Sequence, residues 1–243
     1  MGVVSPQRPE NAPARGVRLF DDVRPDETDR AYLPGMSSAW KMPWYDVQSW
    51  WRRAGRLHRR TVELAGITAG QHVLDVGCGT GNLSFSVLRA VPGAVATGHD
   101  PDDAALRIAA RKAGRRGVRL SLVQGYADRL LPEDGSVDHV VSSLALHHVD
   151  DAGREGFGRE AHRILRPGGR VTIVDFGAPD HGHGGHGHKG HEGHRHRGMN
   201  AYTERNLGNG IVDLLTDAGF TDAREVDHID HRFGPITIVQ ATR

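Results

Sequence analysis

The most informative segment of the chain runs from Val73 to Gly81 and reads VLDVGCGTG. It begins as a short apolar strand and ends in glycines at every second position, including Gly77 and Gly79. Glycines after a strand let the backbone approach a ligand closely, because no Cβ intervenes. Asp75 precedes the first glycine by two residues, and its carboxylate would repel a pyrophosphate but suits a ligand with an ammonium group. The segment therefore predicts a ligand site at a strand-to-helix turn.

Two further carboxylates follow the next strands of the predicted sheet. Asp100 ends the second predicted strand, nineteen residues past Gly81, where it can accept hydrogen bonds from both hydroxyls of a ribose. It could instead cap the helix that begins near Pro101. Asp128 follows the third predicted strand, and a helix cap is again the alternative. Because ligands of open parallel sheets lie at the carboxyl ends of strands, we expect these acids to converge.

The elements that must position these groups alternate between strand and helix from residue 72 onward, which is typical of a parallel sheet with crossover helices. Strands are predicted over residues 73–76, 94–98, 119–123, 137–142 and 171–175. Helices are predicted over residues 82–90, 102–113, 154–165 and 203–218. Two final strands, near 223–229 and 235–241, read as a hairpin.

This arrangement resembles that of class I S-adenosylmethionine-dependent methyltransferases. Two further stretches are similar to that family, LPEDGSVD at residues 131–138 and LRPGGR at residues 165–170. The resemblance covers residues 65–243 and implies a Rossmann-like α/β fold. Its sheet would have seven mostly parallel strands in the order 3-2-1-4-5-7-6, with strand 7 antiparallel, and helices on both faces.

The resemblance also implies roles for the site residues, with S-adenosylmethionine as the cofactor. Asp75 and the glycines would hold the methionine portion, Asp100 the ribose, and Asp128 the adenine beside the backbone of Ala127. The full set of expected cofactor contacts is Asp75, Gly77, Cys78, Gly79, Gly81, Asp100, Pro101, Ala127, Asp128 and Ser143. A binding-only Rossmann domain or a nicotinamide oxidoreductase is the alternative, and the glycine spacing argues against it.

The fourth predicted strand is followed by the sequence LHHV at residues 146–149, close to the expected methyl group. Methyl transfer depends on in-line positioning in a dry pocket, and a weakly acidic acceptor also needs a base. Histidine is the side chain best suited to proton transfer near neutral pH, so His147 and His148 are the candidate catalytic residues, as a base or as groups that orient the acceptor. This ending resembles the ubiquinone and menaquinone C-methyltransferases, and capping of the next helix is the structural alternative.

The acceptor is expected to be a small organic molecule, methylated on carbon or oxygen rather than nitrogen. No Asn-Pro-Pro-Tyr or Asp-Pro-Pro-Tyr motif follows the fourth strand, which argues against methylation of base amino groups. Cys78 is the only cysteine, which argues against arsenite methylation. An aromatic lid over the acceptor, or simple packing, is predicted for Trp40, Trp44, Tyr45 and Trp50.

Composition limits the partners and the domain organisation. The 243 residues include 31 basic and 30 acidic side chains, so net charge gives no case for a nucleic-acid or membrane partner. A single cysteine and no apolar leader predict a reducing, cytoplasmic location. We expect a disordered arm over residues 1–35, a helical lid segment over 36–66 and the methyltransferase domain over 67–243. The oligomeric state is not indicated.

A histidine tract reads HGHGGHGHKGHEGHRH from residue 181 to residue 196, within a flexible insertion expected over 178–198. Imidazoles spaced in this way can bind Zn²⁺, Ni²⁺ or Cu²⁺, although no role of a metal in the chemistry is expected. The candidate metal ligands are His181, His183, His186, His188, His191, His194 and His196. A metal-storing or metal-sensing loop, a substrate lid and a neutral expansion are the competing interpretations. The alternative function is therefore a metal-binding protein on a methyltransferase-like scaffold.

Overall fold

The structure, a computed structural model, describes residues 17–24, 44–177, 205–206, 208–229 and 235–243, with side chains described for all of these except 44–54. Eight strands lie in these residues: β1 Val17–Asp21, β2 His72–Val76, β3 Val95–Asp100, β4 Leu120–Gln124, β5 Val137–Ser143, β6 Leu165–Phe176, β7 Thr221–Ile229 and β8 Ile236–Thr242. The helices described are α1 Trp44–Ala65, α2 Asn82–Ala90, α3 Asp103–Arg116, α4 Asp151–Ile164 and α5 Gly210–Asp217.

All described strands form one sheet in the order β1-β4-β3-β2-β5-β6-β8-β7. Neighbours from β1 to β6 pair in parallel, whereas β8 runs antiparallel to both β6 and β7. Without β1, this order is the predicted one, including the antiparallel strand inserted before the last. The direction of the strand order reverses between β2 and β5, which is where an open parallel sheet binds its ligand.

The predicted strand count is wrong, because the described residues contain eight strands and not seven. The additional strand, β1, pairs with β4 from Val17 opposite Leu120 to Asp21 opposite Gln124. It lies in the segment that was expected to be a disordered arm. Residues 17–21 of that segment belong to the sheet instead. β1 has only five residues and an exposed outer edge, so its sequence shows no sustained apolar period. Backbone pairing with β4, and not a sequence pattern, defines this strand.

Alternation along the strands divides the core between the two faces of the sheet. On β2, Val73 packs with α1 and α2, while Leu74 packs with α4 on the opposite face. On β5, Val141 and Val140 divide in the same way. Both faces of the central strands are thus buried, as a parallel sheet requires.

The N-terminal helix expected in the lid segment is present as α1. Trp40 and the side chains of Trp44, Tyr45 and Trp50 lie outside the described residues, so the aromatic lid stays a prediction. Within the described part of the chain, none of the helices has the length and hydrophobicity of a transmembrane segment.

Candidate cofactor and acceptor site

The loop between β2 and α2 carries the three predicted glycines. Gly77, Gly79 and Gly81 have φ angles of 72°, 49° and 80°, a region that side chains with a Cβ rarely adopt. A Cβ on Gly77 would lie 2.2 Å from the Cβ of Ala145, whereas one on Gly79 would meet no atom within 4 Å. Gly77 therefore allows close packing inside the protein, and Gly79 borders open space that a ligand can occupy.

Asp75 lies on β2, directly beneath this loop, and is 2% exposed. Its Oδ2 accepts hydrogen bonds from the backbone N–H of Ser84 at 2.9 Å and from the Ser84 hydroxyl at 2.6 Å. Burial raises the pKa of Asp75 to about 7, although the Ser84 hydrogen bonds oppose the shift. A cationic group bound beside this carboxylate would stabilise its charged form.

Asp100 is the last residue of β3 and bridges two parts of the site. Its Oδ2 accepts from the Gly79 N–H at 2.7 Å, and its Oδ1 accepts from the Asp102 N–H at 2.9 Å. Burial raises its pKa to about 6. The helix cap of α3 is Asp102, which accepts from Ala105 at 3.1 Å, so the alternative role of Asp100 as that cap is wrong. A carboxylate offers about four acceptor positions, which leaves Asp100 able to accept from ribose hydroxyls.

The loop of residues 125–129 follows β4, and we call it the adenine loop after its predicted partner. The Gly125 N–H donates to the Asp100 carbonyl at 3.2 Å, which places this loop beside the residue predicted to bind the ribose. Beneath it, His99 Nε2 lies 3.2 Å from the Tyr126 carbonyl oxygen. Burial lowers the pKa of His99 to about 4, so the ring is neutral at pH 7.

The predicted contacts Ala127 and Asp128 lie in the adenine loop, against the core and α4. Ala127 packs on the main hydrophobic cluster. A Cβ on Gly156 of α4 would lie 2.3 Å from the Cβ of Asp128, so that glycine makes room for the carboxylate side chain. Cys78 is buried between β2 and β3, where burial raises the pKa of its thiol well above the usual value. Pro101 joins Asp100 to the start of α3.

The two predicted histidines lie on a short 3-10 helix, Leu146–His148, after β5. The Nδ1 atom of His147 lies 2.6 Å from Oδ1 of Asp175, and the His147 backbone N–H donates to Oδ2 of Asp175 at 3.1 Å. Asp175 is fully buried on β6. This carboxylate favours the tautomer with the proton on Nδ1, which makes Nε2 the nitrogen able to accept a proton.

Two buried polar atoms near the end of β5 have no hydrogen-bond partner among the described residues. They are Nδ1 of His148 and the hydroxyl oxygen of Ser143. Burial lowers the pKa of His148 to about 4, and its ring lies 4.0 Å from that of His147. A neutral His148 is a weak base at pH 7. Because unpartnered buried polar atoms are costly, both atoms are suited to hydrogen-bond a bound ligand.

Sequence reasoning missed Asp175 and a second buried group, Arg154. The Nη1 atom of Arg154 donates to Oδ1 of Asn206 at 2.5 Å, and it lies 3.5 Å from the carbonyl oxygen of Leu146. Arg154 is 5% exposed, and burial lowers its pKa. The only sequence signal for a functional role of Asp175 is that it is an acid within an apolar strand. Asp75 has the same signal.

These contacts bring four parts together at the carboxyl ends of β2 to β5. They are the glycine loop of residues 77–81, Asp100, the adenine loop, and the 3-10 helix Leu146–His148, which we call the histidine turn. Among the described residues, no group of three or more His, Cys, Asp or Glu side chains is arranged to hold a metal ion. The predicted metal ligands from His181 to His196 lie outside the described residues.

Class I S-adenosylmethionine-dependent methyltransferases have a Rossmann-like sheet of this order, with acids and glycines at its strand ends. Residues 73–169 match the family model described as a methyltransferase domain. Residues 73–169 are thus similar to methyltransferase domains, and S-adenosylmethionine is the cofactor of this family.

The chain is also similar to curated methyltransferases. It is 35% identical over 127 residues to the demethylmenaquinone methyltransferase of Thermus thermophilus, covering 52% of this chain and 57% of the relative. It is 34% identical over 127 residues to the ubiquinone/menaquinone biosynthesis C-methyltransferase UbiE of Pseudoalteromonas translucida, covering 51% and 49%. The chain thus spans about half the length of these relatives.

Solved structures with the same fold include two that cover most of this chain. The 4+2 cyclase SpnF has a TM-score of 0.62 at 21% identity and covers 78% of this chain and 80% of its own. A SAM-dependent methyltransferase from Aquifex aeolicus has a TM-score of 0.57 at 18% identity and covers 76% and 88%. At such low identity these likenesses concern the fold alone, and a cyclase among them means that the reaction must be argued from the site.

Proposed function

We propose that this protein transfers a methyl group from S-adenosylmethionine to a weakly acidic oxygen or carbon of a small organic acceptor. The observation that carries the proposal is the pairing of His147 with the fully buried Asp175 at 2.6 Å, at the end of the strand where the methyl group is expected. The relatives support it, since one is named a C-methyltransferase of ubiquinone and menaquinone biosynthesis.

The cofactor side fits S-adenosylmethionine by the chemistry of its groups. Asp100 has acceptor positions for the ribose hydroxyls, and Asp128 with Ala127 would hold the adenine. The open space beside Gly79 suits the methionine portion, with Asp75 as the counter-charge for its ammonium group. The remaining members of the proposed set, Gly77, Cys78, Gly81, Pro101 and Ser143, shape the loop and its surroundings.

Acceptor activation is the role we assign to the histidine turn. When bound, the cofactor supplies an electrophilic methyl group on a sulfonium. Nε2 of His147 would take the proton of the acceptor hydroxyl or activated C–H, and Asp175 would stabilise the imidazolium that forms. His148 stays neutral at pH 7 and would orient the acceptor through a hydrogen bond.

A methyl-transfer assay with phenols and enolisable ketones as acceptors tests this function. His147→Gln should lower kcat by about 10²-fold or more, because Gln cannot accept the proton, and it should leave the Kd for S-adenosylhomocysteine unchanged. His72→Gln is the matched control, since His72 is exposed at the opposite end of β2. Full activity of His147→Gln on every acceptor that the wild type methylates would refute the role of this residue.

We also propose that the histidine tract binds divalent metal ions, because seven of the sixteen histidines fall within sixteen residues. Calorimetric titration of the full chain with Zn²⁺ or Ni²⁺ should show binding that weakens as pH falls below about 6. A variant with all seven histidines changed to Asn should lose it. Equal binding by both proteins would reject the tract as the metal site, and metal binding without any S-adenosylhomocysteine binding would favour the scaffold alternative.

A further inference from the structure

The first strand of the protein reaches the cofactor side of the sheet. β1 lies outside residues 73–169, the segment that matches the methyltransferase family model. It runs parallel to β4, so both strands end at the same edge, with Asp21 opposite Gln124. The next residue, Asp22, continues the pairing by donating its N–H to the Gln124 carbonyl at 2.9 Å. Asp22 is thereby held beside the first residue of the adenine loop.

An ion pair joins Asp22 to the far end of that loop. Nη1 of Arg129 donates to Oδ2 of Asp22 at 2.7 Å, and Nη2 donates to the Asp22 carbonyl oxygen at 2.5 Å. The two side chains are only 24% and 23% exposed. A charge-assisted contact through two nitrogens of one guanidinium fixes orientation as well as distance. Arg129 directly follows Asp128, so the pair restrains the backbone that carries the proposed adenine acceptor.

The loop is thus held at several points, and Asp22 contributes one of them from the N-terminal segment. His99 contacts the Tyr126 carbonyl from below, and Gly156 of α4 faces Asp128. A Cβ on Gly125 would lie 3.8 Å from the Cβ of Asp22, so the residue after β1 also lies beside the start of the loop. Gln124, directly before the adenine loop, and Arg129, its last residue, therefore both hydrogen-bond Asp22.

We infer that Asp22 is a positioning residue for the adenine subsite, and that β1 raises cofactor affinity by fixing residues 125–129 through Arg129. This inference rests on the proposed function, because it assigns the loop to adenine. A loop that is already ordered loses less conformational entropy when the ligand binds. Coupling between β1 and the subsite is reciprocal, so cofactor binding also stabilises the pairing of β1 with β4.

Calorimetric titration with S-adenosylhomocysteine tests the inference. Asp22→Asn should raise the Kd about 3- to 10-fold, because it removes the charge from the pair while keeping the backbone contacts. Asp22→Glu, which keeps the carboxylate, should recover part of the affinity. Glu63→Gln is the matched control, because it removes an acid from an exposed ion pair with Arg60 on α1 and should leave the Kd unchanged. Adenosine affinity should fall by the same factor as that of S-adenosylhomocysteine.

Amide hydrogen exchange separates a positioning role from simple stabilisation. In the wild type, S-adenosylhomocysteine should slow exchange of the amides of residues 17–22, and Asp22→Asn should lose this protection while keeping its melting temperature within a few degrees. An unchanged Kd in Asp22→Asn, or no ligand-dependent protection of residues 17–22 in the wild type, overturns the inference alone. If the wild type binds no S-adenosylhomocysteine, the proposed function fails together with it.

Discussion

The proposed cofactor side and the proposed acceptor side of the site are built in different ways. On the cofactor side, Asp100 ends one strand and contacts Gly79 in the loop after the adjacent strand, so neighbouring strand ends bring the groups together. On the acceptor side, His147 pairs with Asp175, 28 residues away, and Arg154 with Asn206, 52 residues away. Backbone geometry at neighbouring strand ends therefore places Asp100 against the loop of Gly79, whereas side-chain contacts between distant segments place His147 and Arg154. Mutations should therefore impair binding and chemistry separately.

Asp175→Asn on the acceptor side is expected to have the largest effect on the chemical step alone. The amide cannot stabilise an imidazolium and favours the wrong tautomer of His147, so kcat should fall about 10²-fold or more. The Kd for S-adenosylhomocysteine should not change. Kinetics across pH with the wild type, Asp175→Asn and the exposed control Asp213→Asn measure this. A loss of cofactor affinity that parallels the loss of kcat would show that the two sides are not separable.

Substitutions at two glycines of the glycine loop should distinguish a glycine needed for packing from one that borders the ligand. Gly77→Ala places a Cβ 2.2 Å from Ala145, at positive φ, and should destabilise the protein by roughly 2–4 kcal/mol. Gly79→Ala places its Cβ in open space, so it should cost only about 1 kcal/mol while weakening S-adenosylhomocysteine binding. Thermal melts and titrations of both variants decide. Equal destabilisation by both, or normal ligand binding in Gly79→Ala, contradicts the assignment.

A smaller effect is expected from pH on the cofactor side. Burial raises the pKa of Asp75 to about 7 and that of Asp100 to about 6, while the ligand prefers both carboxylates charged. Binding should then release protons, so affinity should fall about tenfold between about pH 8 and about pH 6. Buried His99 and His148, with pKa values near 4, stay neutral in this range. Calorimetry in buffers of different ionisation enthalpy counts the protons, and proton uptake on binding would contradict this account.

Local sequence signals predicted the sheet and the acids that lie near its strand ends. The strand order is confirmed apart from β1, because crossover helices between short apolar strands leave few topologies. The strand-end positions of Asp75, Asp100 and Asp128 could be predicted, since each acid lies within or directly after an apolar strand. The sequence alone could not show which aspartate caps α3, because Asp100 and Asp102 lie two residues apart and are equally good caps.

The missed features depend on contacts between distant segments. The pairing of β1 with β4 crosses about a hundred residues of chain, and a five-residue edge strand leaves no pattern that predicts its partner. Nothing in the sequence near His147 indicates that Asp175 will face it, nor that Asn206 will face Arg154. The start of α4 was misplaced for a local reason, since Asp150 caps the helix and starts it three residues before the predicted position.

The central claim is that the strand ends around Asp100 bind S-adenosylmethionine. Calorimetric titration of S-adenosylhomocysteine into the wild type, Asp100→Ala and the partly exposed control Asp103→Ala tests it directly. We predict micromolar binding by the wild type and the control, and a loss of about 10²-fold or more in Asp100→Ala, because two ribose hydroxyls lose their acceptor. Equal binding by all three proteins, or no binding by the wild type, would contradict the claim.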